Sequence, residues 1–428
     1  MNSKKKLLMF SYSFPPIKGI GTLRNFNMAV QFQKHFNIKV LSTRNRFVLP
    51  LEKIDVSNFD ISYLLTLDYK TIKGKSHLNS NNNKDSQIVP SIKNKFLTKL
   101  TNSFPFNLFF GEGGLLYILH GLLLARKYNK KGYHTIYSSF RPMSDHYMAY
   151  LCKVFNKNLI WIADYRDLPF YDEVNKVFFL PKFQIYLLKK IIKKADHIIT
   201  VSEGLKSYFE TYNPNVLVLR NGISNLIEKK VSAKKLDKFT ITYTGTLYGG
   251  KRDPSILFSV IEKLVNEGAM TLSDLNLVYA GKEGALWERL AKKNNLSAAV
   301  VNLGMLPLQE ATGLQHHTHI NLLLTWSTPK QKGILTGKLF EYIKAKQTIL
   351  VFINGVEDKE LENIIDDINI GYVVYNDMAK IEKIIASLYQ EWKRTNDITV
   401  KINETALKKL EWDYQFDEFY KKIKTTIY

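Results

Sequence analysis

Residues 320–353 read INLLLTWSTPKQKGILTGKLFEYIKAKQTILVFI, in which two apolar runs, Ile320 to Trp326 and Thr348 to Ile353, flank a helix-like stretch. Short apolar runs joined through a helix predict two buried parallel strands in a βαβ unit. The stretch from Gly333 to Tyr342 is a glycine-containing turn that opens the helix. Such a turn offers unpaired backbone N–H groups and the positive end of a helix, and these two features together can bind an anion.

Two side chains of the predicted helix carry opposite charges. Lys338 would bring a cation to the anion site, and Glu341 follows one turn further along the helix. A buried carboxylate beside a phosphate is unfavourable unless it binds something, and ribose hydroxyl groups are the usual partner. The alternative is that Glu341 only caps its helix or is solvated.

Apolar runs that precede helix-like segments recur throughout the chain. They lie at 239–244, 275–280, 300–303 and 371–374 in the second half, and at 7–13, 38–42, 135–139, 159–163, 197–201 and 216–219 in the first half. This alternation predicts an α/β protein with parallel, doubly wound sheets. A chain of 428 residues suits two domains. A polar, lysine-rich stretch marks their boundary, which gives domains at 1–235 and 236–411, the first closed by a C-terminal helix at 412–428.

The composition predicts a cytoplasmic protein. The single cysteine, Cys152, excludes a disulfide framework and fits a reducing compartment. No signal peptide is expected, because three lysines at the N-terminus lead directly into a predicted strand. The longest apolar segment, 113–125, is too short to span a bilayer and contains His120, so no transmembrane helix is expected either.

The positive charge is confined to the first half of the chain. Residues 1–238 contain 38 Lys and Arg against 16 Asp and Glu, whereas residues 239–428 contain 23 of each. A charge of +22 on one half would suit nucleic acid, an anionic membrane or a diphosphate-bearing substrate. Nucleic acid is not expected as a partner, because the sequence shows no helix-turn-helix pattern, zinc-ligand spacing or RNA-recognition signature.

The segment from Ser91 to Phe110 combines basic and aromatic residues. It contains Lys93, Lys95 and Lys99, no acidic residue, and several phenylalanines and leucines. This composition favours contact with an anionic membrane surface, where each lysine contributes about 1 kcal/mol. The alternative is a loop whose aromatic side chains fill the domain core.

Two places in the first half are candidates for binding or catalysis. The turn at 14–21 follows the first predicted strand, and its glycines would let backbone approach a ligand. His146 lies on the helix after the strand at 135–139, near the edge where open α/β sheets bind ligands, although a single histidine on a helix is often structural. The charged corner at 164–167 is either a set of salt bridges or a contact to an acceptor.

The first strand of the second half ends in the loop 243–254, which contains Gly245, Gly249, Gly250 and the cations Lys251 and Arg252. Glycines at a strand end, followed by two cations and the start of a helix, favour a diphosphate clamp. Each charge-assisted hydrogen bond in such a clamp contributes about 1.5–3 kcal/mol. The alternative is a solvated turn.

Together these stretches resemble the family 4-type glycosyltransferases of the B fold, and in particular the bacterial capsular and exopolysaccharide enzymes. The resemblance covers nearly the whole chain and depends on the order and spacing of several motifs. They are the proline-glycine loop at 15–21, the stretch 195–202, the stretch 221–223, the loop at 245–251 and the stretch 338–342. The resemblance implies two Rossmann-like domains that face each other across a cleft. It also implies a nucleotide-sugar donor on the C-terminal domain and an acceptor on the N-terminal domain.

The resemblance assigns roles to individual residues of the C-terminal domain. Lys251 matches the lysine of the basic pair that holds the diphosphate, and Arg252 would substitute for the arginine expected at Thr246. Glu341 matches the second acid of an E-x7-E pattern and would bind ribose, whereas the first acid is replaced by Gly333. Backbone at Ile334, Leu335 and Thr336 would then bind sugar or phosphate oxygens. Gly245 and Lys338 would also contact the donor. The family's usual glycine after the helix is Lys346 here.

In the N-terminal domain, Gly19 and Gly21 match the loop that approaches the phosphates of the donor. His146 lies near the position of the family's active-site histidine. These assignments, like those of the C-terminal domain, follow from the resemblance alone.

The implied activity is that of a hexosyltransferase that retains anomeric configuration. It would transfer a sugar from a nucleotide sugar to a lipid-linked glycan acceptor in cell-surface polysaccharide biosynthesis, at the inner face of the plasma membrane. No cofactor or metal is expected, because Lys251, Arg252 and Lys338 would neutralise the leaving nucleoside diphosphate. Two alternatives are a sugar-nucleotide epimerase of the same fold and, because of Gly333, a catalytically degenerate subunit that only binds sugar nucleotides.

Overall fold

The computed structural model describes residues 4–17, 19–44, 54–69, 103–169, 180–224, 235–328, 333 and 335–427. The chain forms two compact units, Met1–Arg220 with Gln415–Tyr428, and Asn221–Tyr414. Each unit contains one parallel sheet with helices between successive strands. The predicted α/β architecture with two Rossmann-like domains is therefore confirmed.

The first unit is built on a seven-stranded sheet. Its strands are β1 (Lys5–Phe10), β2 (Phe36–Thr43), β3 (Asp60–Leu64), β4 (Tyr133–Phe140), β5 (Ile160–Tyr165), β6 (His197–Thr200) and β7 (Val216–Val218). Its helices are α1 (Ile20–Gln33), α2 (Phe106–Phe109), α3 (Gly114–Asn129), α4 (Met143–Phe155), α5 (Pro181–Lys194) and α6 (Glu203–Glu210). The strand order is β3-β2-β1-β4-β5-β6-β7, so the direction of winding reverses between β1 and β4.

The second unit is built on a six-stranded sheet. Its strands are β8 (Phe239–Thr244), β9 (Leu275–Ala280), β10 (Val300–Asn302), β11 (Ile320–Ser327), β12 (Thr348–Gly355) and β13 (Gly371–Val374). Its helices are α7 (Ser255–Asn266), α8 (Gly284–Lys293), α9 (Leu308–His317), α10 (Gly337–Ala345), α11 (Lys359–Ile368), α12 (Met378–Thr395) and α13 (Glu404–Lys408). The strand order is β10-β9-β8-β11-β12-β13, so the winding reverses between β8 and β11.

The opening motif of the sequence forms the centre of the second sheet. β11 and β12 are parallel and in register from Ile320 opposite Thr348 to Ser327 opposite Gly355. Both strands are buried over almost their whole length, which agrees with continuous apolar runs covered by helices on both faces. The βαβ prediction is confirmed.

The last helix, α14 (Trp412–Ile427), starts in the second unit and ends in the first. In the first unit its aromatic side chains are buried against α1: the ring centroids of Phe32 and Phe416 lie 5.0 Å apart with their planes nearly perpendicular. The amphipathic pattern of the chain end therefore forms a packed helix. Edge-to-face pairs of this kind contribute about 0.5–1.5 kcal/mol beyond the burial of area.

No helix within the described ranges is long and apolar enough to cross a membrane.

Candidate functional site

The loop that follows β8 turns sharply at its glycines. Gly245, Gly249 and Gly250 have φ values of +146°, +63° and +96°, in the region that a Cβ atom disfavours. The loop doubles back so that the guanidinium of Arg252 lies 3.4 Å from the carbonyl oxygen of Thr246. The sequence therefore builds a tight turn at the carboxyl end of β8, beside the point where the winding reverses and where open α/β sheets bind ligands.

Lys338 lies directly over this turn. It is on the first turn of α10, which follows β11, the neighbour of β8 in the sheet. A Cβ atom placed on Gly245 would be only 1.9 Å from the Lys338 ammonium. The Lys338 nitrogen also lies 5.8 Å from the centroid of the Tyr243 ring. The two stretches that the sequence predicted separately as anion sites thus lie next to each other at the reversal of winding.

Without a ligand, burial disfavours the charged forms of Lys338 and Glu341. The pKa of Lys338 is lowered to about 8, mainly by burial and then by the positive charge of Arg252, while Glu341 acts in the opposite direction. Burial raises the pKa of Glu341, against the hydrogen bond from Gln315 and the charge of Lys338. A bound phosphate would favour the charged form of Lys338.

Glu341 is held by a hydrogen-bonded network at the end of β8. The side-chain amide of Gln315 donates to Glu341 Oε2 (3.3 Å) and to Thr244 Oγ1 (3.1 Å). The hydroxyl of Tyr342 lies 3.0 Å from the same Thr244 oxygen. Glu341 therefore faces the sheet end, and it does not cap α10, since Thr336 occupies the N-cap position.

Arg252 is nearly fully buried between two aromatic rings. The centre of its guanidinium lies 4.7 Å from the ring centroid of Tyr248 and 5.4 Å from that of Trp326. One of its terminal nitrogens lies 3.4 Å from both the Tyr243 hydroxyl and the Thr246 carbonyl oxygen. Arg252 thus reaches the loop position at which the resemblance expects an arginine.

Lys251 completes the set of cations. It is exposed, and its ammonium lies 5.9 Å from the centroid of Trp326, the ring that Arg252 also contacts. Lys251 and Arg252 thus lie in the turn after β8, and Lys338 packs against it.

Two backbone N–H groups before α10 already donate hydrogen bonds within the protein. Gly333 has φ of +69°, and its N–H donates to Asp358 Oδ2 at 2.9 Å. The N–H of Leu335 donates to the Gly333 carbonyl at 3.0 Å, so it is already paired. Ile334 lies outside the described residues. The position where the family carries an acid is thus reached by a carboxylate from the loop after β12.

Three buried polar atoms around this site lack a hydrogen-bond partner within the described part of the chain: Arg252 Nε, Gln315 Oε1 and Thr336 Oγ1. Buried polar atoms are nearly always paired in folded proteins. Their grouping around the turn after β8 supports the binding of a polar ligand there.

Three further side chains shape the site and were not predicted from the sequence: Glu283, Gln315 and Asp358. Glu283 accepts hydrogen bonds from three consecutive backbone N–H groups of the β8 loop. Glu283 and Asp358 follow predicted strands by three and five residues, so the rule that ligand sites lie at carboxyl ends of strands would have marked both. Gln315 lies in a helix, and no local pattern indicates its role.

In the first unit, Gly19 and Gly21 lie at the start of α1. Gly19 is the N-cap residue, and no acidic side chain lies in the first turn. A Cβ atom on Gly21 would be 2.0 Å from a terminal nitrogen of Arg166. Arg166 is held by its Nε, which donates to the carbonyl of Phe140 at 2.7 Å. A guanidinium therefore lies over the N-terminal turn of α1, where glycine is required for its close approach.

The charged corner at 164–167 contains an internal salt bridge. Arg24 donates to both oxygens of Asp164, each at 2.8 Å, and to the carbonyl of Leu219 at 3.0 Å. Burial would raise the pKa of Asp164, but the charge and hydrogen bonds of Arg24 outweigh it and the pKa is lowered. Of the two interpretations of this corner, the structure shows the salt bridge for Asp164.

His146 is completely buried in the first unit, with 0% of its surface exposed. Its Nδ1 lies 2.7 Å from Ser138 Oγ, and Trp161 Nε1 donates to the same oxygen. Burial lowers the pKa of His146 to about 3, so the imidazole is neutral at pH 7. Its catalytic role stays a prediction, and the structure places its ring among Phe140, Trp161 and Tyr165.

The segment that carries Lys93, Lys95 and Lys99 lies outside the described residues. Over the described ranges, no group of three or more His, Cys, Asp or Glu side chains is arranged to hold a metal ion.

Solved structures resemble the chain over almost its whole length. Sucrose-phosphate synthase from Thermosynechococcus elongatus has a TM-score of 0.59 and 10% identity, and covers 99% of both chains. The apo form of the lipopolysaccharide outer core galactosyltransferase WaaB has a TM-score of 0.57 and 11% identity, and covers 98% of this chain and 99% of its own. A Listeria monocytogenes protein assigned as a UDP-N-acetylglucosamine 2-epimerase has a TM-score of 0.52 and 10% identity, and covers 99% and 97%.

At such low identity the likeness shows the fold alone, which is the glycosyltransferase-B fold of two Rossmann-like domains. No family model matches the sequence, and a search of curated proteins gave no match.

Proposed function

We propose that this protein is a glycosyltransferase that transfers a hexosyl group from a nucleotide sugar to a glycan acceptor. The observation that carries the proposal is the placement of Lys338 over Gly245, with Glu341 one turn further along α10. A cation and a half-buried carboxylate then meet at the reversal of winding in the second sheet. This combination suits a diphosphate joined to a ribose.

Each group of the site has a chemical role in the proposed reaction. Lys251, Arg252 and Lys338 would neutralise the charge that develops on the leaving diphosphate, and preorganised charges of this kind are usually the largest contribution to catalysis. Glu341 would accept hydrogen bonds from the ribose. Three polar atoms, on Arg252, Gln315 and Thr336, have no hydrogen-bond partner among the described residues, which supports a ligand rich in oxygen atoms.

We further propose that transfer proceeds with retention. The bond from the anomeric carbon to the phosphate oxygen breaks while the acceptor oxygen attacks from the same face. The acceptor proton passes to the departing phosphate oxygen, so no carboxylate nucleophile is needed. The acceptor would bind the first unit, as the resemblance implies.

The proposal is tested first by a thermal-shift screen of nucleotide sugars, because a ligand at 100 times its dissociation constant stabilises a protein by about 2.7 kcal/mol. Transfer or hydrolysis of the best ligand is then compared in Lys251→Ala, Glu341→Ala and the control Lys292→Ala, which removes an exposed cation of α8. We expect loss of turnover in the first two variants only. Full activity in both would contradict the proposal.

The same assay separates the two alternatives. An epimerase would convert UDP-N-acetylglucosamine to its epimer without an acceptor, whereas a glycosyltransferase would not. A degenerate subunit would bind the donor in calorimetry and give no transfer in membrane extracts that contain acceptors.

We also propose that the acceptor is lipid-linked and that the protein binds the cytoplasmic face of the plasma membrane. Support comes from α3 and α5 of the first unit, which contain several lysines and arginines and no acidic residue. α3 exposes Leu116, Leu119 and Leu123, the last by 70%, at the spacing of one helix face. A basic surface with exposed leucines suits an anionic bilayer.

Cosedimentation with phosphatidylcholine vesicles, with and without phosphatidylglycerol, tests the membrane proposal. We expect binding that requires phosphatidylglycerol and is lost in the double variant Leu119→Asp, Leu123→Asp. Leu303→Asp, at an exposed leucine of the second unit, is the matched control. Replacement of Lys93, Lys95 and Lys99 shows separately whether that segment takes part. Equal binding by the double variant and the control would exclude the α3 surface.

A further inference from the structure

Glu283 fills a backbone site of the kind that usually binds a phosphate. Its carboxylate accepts hydrogen bonds from the N–H groups of Leu247 (2.6 Å), Tyr248 (3.0 Å) and Gly249 (2.9 Å). Consecutive N–H groups that point into one concavity form an anion-binding nest. Here the anion belongs to the protein itself.

Glu283 is held in place from its own strand. It follows β9, which pairs with β8, and its N–H donates to the Tyr279 hydroxyl at 3.0 Å. That hydroxyl in turn donates to the Gly245 carbonyl at 2.8 Å. A Cβ atom on Gly281 would be 2.0 Å from the same carbonyl oxygen. The loop after β9 is therefore packed tightly against the loop after β8.

The β8 loop needs an outside partner because its backbone is strained. Tyr248, Gly249 and Gly250 all have positive φ, and for Tyr248 this conformation is unfavourable since it has a side chain. The backbone hydrogen bonds within the turn range from 3.0 Å (Arg252 N–H to Leu247 O) to 3.4 Å (Lys251 N–H to Tyr248 O). Three charge-assisted hydrogen bonds, donated by backbone N–H groups to the Glu283 carboxylate, compensate for this strain.

Lys251 and Arg252 follow immediately after these strained residues. The Tyr248 ring packs on the Arg252 guanidinium, so the position of Tyr248 fixes that of the cation. A change in the turn would move both cations relative to Lys338. Glu283 thus controls the geometry of the cation cluster without contributing a positive charge itself.

We infer that Glu283 is a positioning residue for the sugar-donor site, and that the donor's phosphates bind the side chains of Lys251, Arg252 and Lys338 rather than the nest at 247–249. This inference rests on the proposed function, because it names what the cations bind. It predicts that removing the Glu283 carboxylate weakens diphosphate binding even though it removes a negative charge from the neighbourhood.

The test combines affinity with a direct measurement of the loop. The affinity for inorganic pyrophosphate is measured by calorimetry at pH 7 in the wild type, Glu283→Gln, Glu283→Ala and the control Glu288→Gln. Glu288 lies on α8, accepts a hydrogen bond from Asn302 and receives none of the three hydrogen bonds of the nest. Hydrogen exchange of the peptide that contains residues 245–252 is followed in the same proteins. Exchange in β8 and β9 reports whether the variants remain folded.

We expect Glu283→Ala to bind pyrophosphate about 10- to 100-fold more weakly, which corresponds to the loss of one hydrogen bond between a displaced cation and the phosphate. Glu283→Gln should fall between it and the wild type, because an amide oxygen still accepts hydrogen bonds. Exchange of the loop should be faster in both variants and unchanged in Glu288→Gln.

The opposite sign would overturn the inference: tighter binding by Glu283→Ala would mean that the nest is a phosphate site blocked by Glu283. Unchanged affinity together with faster loop exchange would overturn it as well, since loop order would then not matter for binding. Failure of the wild type to bind pyrophosphate is a different result. It would remove the diphosphate clamp, and with it the proposed function on which this inference rests.

Discussion

The ammonium of Lys338 occupies the space that a side chain at Gly245 would fill, 1.9 Å from the position of a Cβ atom there. Lys338 lies on the first turn of α10, which follows β11, and Gly245 lies in the loop after β8. The two strands are neighbours in the sheet, although the residues are 93 positions apart in sequence. The absence of a side chain at one residue therefore allows the charge of the other to reach the anion site.

Gly245→Ala should impair phosphate binding by displacing Lys338. The new methyl group would push the ammonium away, and the φ of +146° at this position adds backbone strain. We expect pyrophosphate affinity to fall about tenfold, which is the loss of one charge-assisted hydrogen bond. A double-mutant cycle with Lys338→Ala checks the mechanism: in that background Gly245→Ala should have little further effect on affinity. Additive losses would mean that the two residues act independently.

Phosphate binding should depend on pH through Lys338. Its pKa of about 8 in the free protein lies below the usual lysine value, so its charge is present below pH 8 and is lost as the pH rises above it. If only the charged form binds, the affinity for a nucleoside diphosphate falls about tenfold between pH 7 and 9. Lys338→Arg keeps its charge over this range, so its affinity should be nearly constant. A wild-type profile as flat as that of the arginine variant would exclude Lys338 from the phosphate contact.

The fold was predictable because it depends on local patterns. The apolar runs before each helix-like segment gave the parallel strands, including the β11–α10–β12 unit. Lys251, Arg252, Lys338 and Glu341 became candidates from the sequence because each lies in a segment that follows a predicted strand. The placement of Lys338 over Gly245 and the role of Gln315 depend on which strands are neighbours, and one-dimensional spacing does not contain that information. The burial of His146 was not predictable from its local sequence either. Helix α4 carries apolar residues on more than one side, so the sequence does not show which side faces the core.

Glu341 should confer a preference for ribonucleotides. Its carboxylate is already fixed by Gln315 and stands one turn from Lys338, where the ribose next to a clamped diphosphate would lie. Charge-assisted hydrogen bonds to hydroxyl groups contribute about 1.5–3 kcal/mol each, so removal of the 2′-hydroxyl or 3′-hydroxyl should weaken binding of the nucleotide about 10- to 100-fold. Calorimetry with the matched deoxynucleotides tests this.

In Glu341→Ala, the ribonucleotide and the deoxynucleotide should bind equally weakly. If the variant still discriminates between them as the wild type does, the ribose is bound by another group. Glu310→Gln, at an exposed acid of α9, is the matched control and should leave the preference intact.

Lys346→Gly should stabilise the second unit. Lys346 ends α10 with φ of +54°, a left-handed conformation that costs a residue with a side chain about 1–2 kcal/mol. This explains why a glycine is usual there in the family that the sequence resembles. The exposed ion pair between Lys346 and Glu404 contributes little against that cost. Since glycine also gains freedom in the unfolded chain, we expect a net gain of about 0.5–1 kcal/mol in the free energy of unfolding, measured by urea denaturation. Lys346→Ala, which keeps a Cβ atom, should give no such gain.

His146 should make the first unit sensitive to acid. Burial lowers its pKa to about 3, whereas in the unfolded chain it has the ordinary value of 6.5. The unfolded state therefore binds a proton that the folded state does not as the pH falls below 6.5, and stability is lost progressively down to the folded pKa. Linkage converts this difference into a loss of about 2 kcal/mol in the free energy of unfolding between pH 7 and pH 5.

The variant His146→Gln cannot titrate at this position. Its free energy of unfolding should therefore lack that part of the pH dependence, whatever its absolute value. His134→Gln, at an exposed histidine of β4, should retain the wild-type slope. An unchanged slope in His146→Gln would mean that the imidazole can be protonated in the folded protein. The imidazole would then be open to solvent and able to serve as the catalytic histidine that the sequence suggests. Its burial among Phe140, Trp161 and Tyr165 argues against that role.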